Sequence, residues 1–300
     1  MNTQPDTLTY VYAVARQTQP LREALAHLRG IGQAPVRLLS DPSAPSNTSD
    51  ASDASDASDG SPSPLAFVIS AVPHREFNEA ALKDHFEDLQ WLESVARAHH
   101  DVVQAVAAHG TVLPLRMATV YQDDGRAHQA LVAQHHTFSE RLAQLAAHTE
   151  FGVKIYLPPP ASATDPEAPA GSPQAAPTAA ATPGKAYLQR RRSQHHAREA
   201  VYRQAQDAAE TIDAVAARHA SQRVRHAPQR GTLTGAQENV LNDAYLIPDE
   251  QADQFRASIE RAAQDFPEIR IEVTGPWAPY SFAMPPPDTP AAADASKPVP

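Results

Sequence analysis

"LTYVYAVARQTQPLREALAHLRG", residues 8 to 30, changes its hydrophobic repeat partway along. Its first eight residues are rich in β-branched and aromatic side chains and predict a strand. Leu21, Leu25 and Leu28 then share one helical face, with Gly30 as the stop. Two more strands are expected at 34–40 (APVRLLS) and 65–72 (LAFVISAV), the second so continuously apolar that it belongs at the centre of a sheet. From Asn78 to His109 apolar residues recur at helical spacing, with one break near Asp88. TVLPLRMATVY (111–121) reads as a closing strand, and Pro114, lacking the ladder donor, places it at an edge or a bulge. The order β-α-β-β-α-β is that of a ferredoxin-like unit, so an α+β fold with an N-terminal ferredoxin-like domain over residues 1–121 is expected.

The second half repeats the alternation. A helix is expected at 126–148, a strand at 151–157 (FGVKIYL), then a helix of about forty residues from Lys185 onward, about 60 Å long at 1.5 Å per residue and therefore kinked or projecting. Its apolar face runs through Leu188, Val201, Ala205, Ala208, Ile212, Val215 and His219. Strand 239–247, helix 249–264 with Asp249 as N-cap, and strand 268–275 complete a C-terminal α+β domain over 122–284. Three segments lack the branched and aromatic residues that offset chain entropy and are expected to be disordered: 41–64, 158–183 and the tail 285–300. The Ser-Asp-Ala repeat in the first lacks the turn glycine and late glutamate of a calcium loop, so a solvated spacer is expected.

Composition narrows the function. The 300 residues carry 25 basic and 35 acidic side chains, a net charge of −10, which argues against nucleic acid as the main partner. With no cysteine, disulfides, thiolate metal sites and cysteine nucleophiles are all excluded. No export signal or membrane-spanning apolar run is recognisable, so a cytoplasmic protein is expected.

No motif carries a catalytic mechanism. G-x-S-x-G, G-x-G-x-x-G and the P-loop pattern are all missing, no cofactor is expected, and the chain reads as a non-enzyme. The histidine pairs 99/100, 135/136 and 195/196 diverge by about 100° on a helix and cannot chelate one ion; His195 and Glu199 have a suitable spacing but no third ligand. Residues 185–230 hold ten basic side chains against four acidic ones, including Arg190, Arg191 and Arg192, a solvated face or a contact for an acidic protein surface. The alternative is an RNA-binding protein using those arginines and a sheet with Tyr10, Tyr12 and Phe67 as stacking aromatics.

TGPWAPYSF (274–282) places Trp277, Tyr280 and Phe282 on a strap whose prolines restrict the backbone. The strap is expected to cover the sheet of the second domain, with part of it able to anchor a partner, since rigid aromatics lose little entropy on docking.

Five blocks in order, VLPLRMATVY (112–121), EFGVKIYL (150–157), GKAYLQRRR (184–192), LNDAYLI (241–247) and VTGPWAPYSF (273–282), resemble the gas vesicle accessory proteins of the F and L type. Where that family commonly has Phe-Gly after Leu-Arg, this chain has Met117 and Ala118. The resemblance implies two α+β domains, no enzymatic activity, and contact with the small hydrophobic shell protein and other accessory proteins of gas vesicles. Pro114, Arg116, the three arginines and the strap aromatics are the candidate contact residues.

Overall fold

The computed structural model describes residues 6–40, 63–159, 183–229 and 237–283. Apart from a few flanking positions, the three low-complexity segments lie outside those residues. The fold is α+β and divides into two compact units, one of residues 1–150 together with 276–300, the other of residues 151–275.

In the first unit the strands β1 (Thr7–Arg16), β2 (Arg37–Ser40), β3 (Leu65–Pro73), β4 (Val112–Pro114) and β5 (Val120–Tyr121) form one sheet in the order β2-β3-β1-β4, with β5 also on β1. Every pairing is antiparallel. The connecting helices are α1 (Gln19–Ala26) and the group α2 (His74–Phe77), α3 (Glu79–His85) and α4 (Leu89–Ala107), followed by α5 (Asp124–Ala133) and α6 (His135–Leu145).

β1 and β3 are buried almost throughout because helices cover both faces. On one face Leu8, Tyr10 and Tyr12 pack with Leu21 and Leu25 of α1 and with Val95, Val102, Val103 and Val106 of α4. A bulge between Val11 and Ala13 shifts the two-residue alternation, so Ala13 and Ala15 join the same cluster. On the other face Phe67 meets Phe138 of α6 edge-on at 5.6 Å. The helical break near Asp88 is real: its carboxylate caps α4 by accepting from the N–H groups of Gln90 (3.0 Å) and Trp91 (3.1 Å).

Three local readings change. The strand expected over 111–121 stops at Pro114, which sits on edge strand β4 opposite Ala13; a loop through Ala118 then leads to β5. The helix expected over 126–148 is divided at Gln134. Gly30 is not the stop of α1, which ends at His27; it is where the Tyr12 hydroxyl approaches the backbone.

The second unit is built on a four-stranded sheet, ordered β7-β8-β6-β9, of β6 (His148–Leu157), β7 (Gln222–Arg225), β8 (Glu238–Pro248) and β9 (Arg270–Trp277). Strands β6 and β9 cross the boundary between units, so their ends at 148–150 and 276–277 belong to the first. Helices α7 (Pro183–Ala216) and α8 (Ala252–Ala263) cover its core, where Ile212 and Ala216 meet Phe151, Val153, Tyr245, Phe255 and Ile259. At 34 residues α7 is about 50 Å long, and its apolar face is used only from Val201 onward; Leu188 stays 58% exposed. Asp249 begins a 3-10 turn and does not cap α8, whose N-cap is Gln251. The short strand β7 (QRVR) was not expected from its sequence.

Candidate functional site

The strap after β9 belongs to the first unit, not to the sheet of the second. Ala278 is 2% exposed and sits in the core cluster of Tyr10, Tyr12 and the α4 valines; Tyr280 packs against the same cluster. Four hydrogen bonds fix its backbone and Ser281. Thr149 Oγ1 donates to the Trp277 carbonyl (3.2 Å), the Ala278 N–H to Gln104 Oε1 (2.7 Å), and the N–H and hydroxyl of Ser281 to the two Glu150 carboxylate oxygens (2.8 and 2.7 Å). Glu150 is buried at the rim of this contact, and burial raises its carboxyl pKa against the lowering effect of the Ser281 bonds.

The strap aromatics then divide. Phe282 is buried and serves the fold, whereas Trp277 keeps 39% exposure with its ring 5.4 Å from that of His100. Tyr280 stacks on the same imidazole, ring centres 5.9 Å apart, and its hydroxyl has no partner among the described residues. Burial raises the Tyr280 pKa, with Glu150 and Asp101 adding to it.

Beneath the strap runs a buried polar chain. The Ala118 N–H donates to Tyr10 Oη (3.0 Å), and Tyr10 Oη is hydrogen-bonded to His99 Nδ1 at 2.9 Å. His99 is 4% exposed; burial pushes its pKa down to about 4, the Leu115 carbonyl works in the opposite direction, and the neighbouring His100 lowers it further. His99 is therefore a neutral structural group at pH 7.

Of the other candidates, Pro114 is buried on its edge strand and Arg116 is exposed in the following loop. Arg191 and Arg192 are exposed on α7 in the second unit, while the side chain of Arg190 lies outside the described residues. His195 and His196 both approach the Glu199 carboxylate (3.4 and 3.3 Å) along the helix surface. Tyr10, Tyr12 and Phe67 are 0% exposed, so the strand aromatics that an RNA-binding sheet would need cannot stack on bases. His100, Gln104 and Glu150 were missed; the one available signal was Glu150, an acid directly preceding an apolar strand.

The described residues thus form two α+β units of helix and antiparallel sheet, the first of which carries the pinned aromatic strap. Residues 8–284 match the family described as gas vesicle synthesis protein GvpL/GvpF, and the chain belongs to that family. It is 36% identical over 279 residues to gas vesicle protein L of a Streptomyces species, covering 93% of each chain. Its fold is similar to the crystal structures of gas vesicle protein GvpF from Anabaena (TM-score 0.55, 19% identity, 93% of this chain and 97% of that one) and from Microcystis aeruginosa (TM-score 0.55, 21% identity, 92% and 99%). No helix among the described residues is long and apolar enough to cross a membrane.

Proposed function

We propose that this protein supports gas vesicle assembly in the cytoplasm by binding the small hydrophobic shell protein and other accessory proteins, as an assembly factor or a minor vesicle component, without catalysing a reaction. A shell with an apolar inner face is built from subunits that expose apolar surface before assembly, and such surface aggregates unless covered. The observation that carries the reading is the strap: two prolines and its hydrogen bonds hold Trp277 half-exposed in a fixed direction. An anchor ordered in advance loses little entropy on docking. Edge strand β4, ended by Pro114 and followed by Arg116, offers a second contact region in the same unit.

The test is light scattering of purified shell subunit with and without an equimolar amount of this protein. The protein delays aggregation, and Trp277→Ala shortens the delay while leaving the thermal midpoint nearly unchanged. Identical aggregation curves with and without the protein would refute the reading.

A further inference from the structure

The junction between α3 and α4 carries apolar side chains that the fold leaves uncovered. Phe86, the C-cap of α3, is 48% exposed, and Leu89, the first residue of α4, is 77% exposed. Trp91 and Leu92 lie half-buried one step along, with the Trp91 indole stacked on His85 at 4.5 Å and 9°. Single exposed leucines are ordinary, but an exposed Phe and Leu three residues apart beside a half-buried Trp form a patch. Neither exposed side chain is needed for the local turn, because the Asp88 carboxylate caps α4.

The balance of charge around this patch is negative. Residues 74–97 contain six carboxylates and three Lys or Arg side chains. All three cations are already paired, Arg75 with Glu76, Lys83 with Glu79 and Arg97 with Glu93. Asp88 is committed to its cap. Asp84 and Glu87, which flank Phe86 two residues before and one after, pair with no described basic side chain.

We propose that the α3–α4 junction docks a basic amphipathic helix of a partner protein, with Phe86 and Leu89 taking its apolar face and Asp84 and Glu87 its lysines or arginines. An apolar patch rimmed by carboxylates selects such a helix in two ways: burial supplies affinity, and the fixed charge favours cations and rejects an acidic helix of equal hydrophobicity. This surface is distinct from the strap and holds whether or not the strap binds the shell protein.

The test uses the full chain carrying Trp277→Phe, which leaves Trp91, beside the patch, as the single tryptophan reporter. Two synthetic amphipathic helices with the same leucine face, one flanked by lysines and one by glutamates, are titrated while Trp91 emission is followed. The lysine peptide binds at least tenfold more tightly. Phe86→Ser with Leu89→Ser weakens it tenfold or more, and Asp84→Asn with Glu87→Gln weakens it and flattens its dependence on salt. Circular dichroism confirms that both double variants remain folded; should one unfold, Leu89→Ser alone, at a position 77% exposed, replaces it. Equal binding of the two peptides, or variants that bind like the parent, overturns the proposal. A self-association abolished by Leu89→Ser would assign the patch to a second copy of this chain and overturn it as well.

Discussion

The backbone N–H of Ala118 donates to the hydroxyl of Tyr10, 3.0 Å away, from a residue held at φ +63°. That is the left-handed region, where a Cβ costs about 1–2 kcal/mol and glycine is nearly free of strain. Tyr10, 0% exposed, fixes the position of the N–H, so the loop cannot relax without giving up a buried bond. Ala118→Gly keeps the N–H and removes the strain. After subtracting the extra unfolded-state entropy of glycine, it stabilises the protein by about 0.5–1 kcal/mol, read as a rise in the urea midpoint at unchanged slope.

Gly30 shows the opposite constraint. A Cβ built there would lie 2.2 Å from Tyr12 Oη and 2.9 Å from its ring carbon, although the backbone of Gly30 itself is unstrained. The Tyr12 hydroxyl cannot retreat cheaply, since it bonds Ser70 Oγ (2.7 Å) and accepts the Ile31 N–H (2.9 Å). Gly30→Ala costs about 2–4 kcal/mol in the same denaturation measurement.

Protonation of His99 sets an acid limit on stability. Its folded-state pKa of about 4 lies below the ordinary 6.5, so the unfolded chain binds the proton first. The contribution of the neutral imidazole is fully present above pH 6.5 and is lost as pH falls toward 4, a change on the order of 3 kcal/mol. Unfolding free energy followed from pH 7 to pH 4 falls over that window. In His99→Phe, which keeps the ring contacts but cannot titrate, the part of the slope due to this group disappears.

Asp243 is 1% exposed in β8 and is neutralised by two arginines of β7. Arg223 donates twice to Oδ2, from Nε at 3.0 Å and Nη2 at 2.5 Å, and also reaches Asp213 of α7. Asp243→Ala removes the shared acceptor of both arginines while leaving Arg223 its Asp213 partner and costs about 1–3 kcal/mol, whereas Arg225→Ala, at a side chain 66% exposed, costs about 1 kcal/mol or less. The thermal midpoints of the two variants rank in that order.

These arginines also show why part of the fold was hidden in the sequence. QRVR holds a single apolar residue, Val224, between two arginines and carries no apolar run; it pairs with β8, where Asp243, twenty residues from Arg223, supplies the counter-charge. The central strands β1 and β3 were legible because burial on both faces leaves a continuous apolar stretch. The break at Asp88 was legible because interruption of the helical repeat is a local signal. The strap was legible as a stiff aromatic segment, but its destination was not. Its contacts with Gln104 and Glu150 span 174 and 131 residues, and nothing local to TGPWAPYSF distinguishes one sheet from another. The exposed junction at Phe86 and Leu89 read as ordinary members of an apolar helical repeat, because periodicity does not reveal where the fold leaves a residue uncovered.

Return of the strap to the first unit has a consequence for synthesis on the ribosome. Ala278 fills a place in a core whose other members all lie before residue 113, and the whole second unit is translated between them. A nascent chain that has not yet passed Ser281 leaves the flank of α4 open and the Glu150 carboxylate without its hydroxyl and amide donors. The unit begun first is thus the one finished last, and a premature stop after residue 275 damages the half of the molecule farthest from it in sequence.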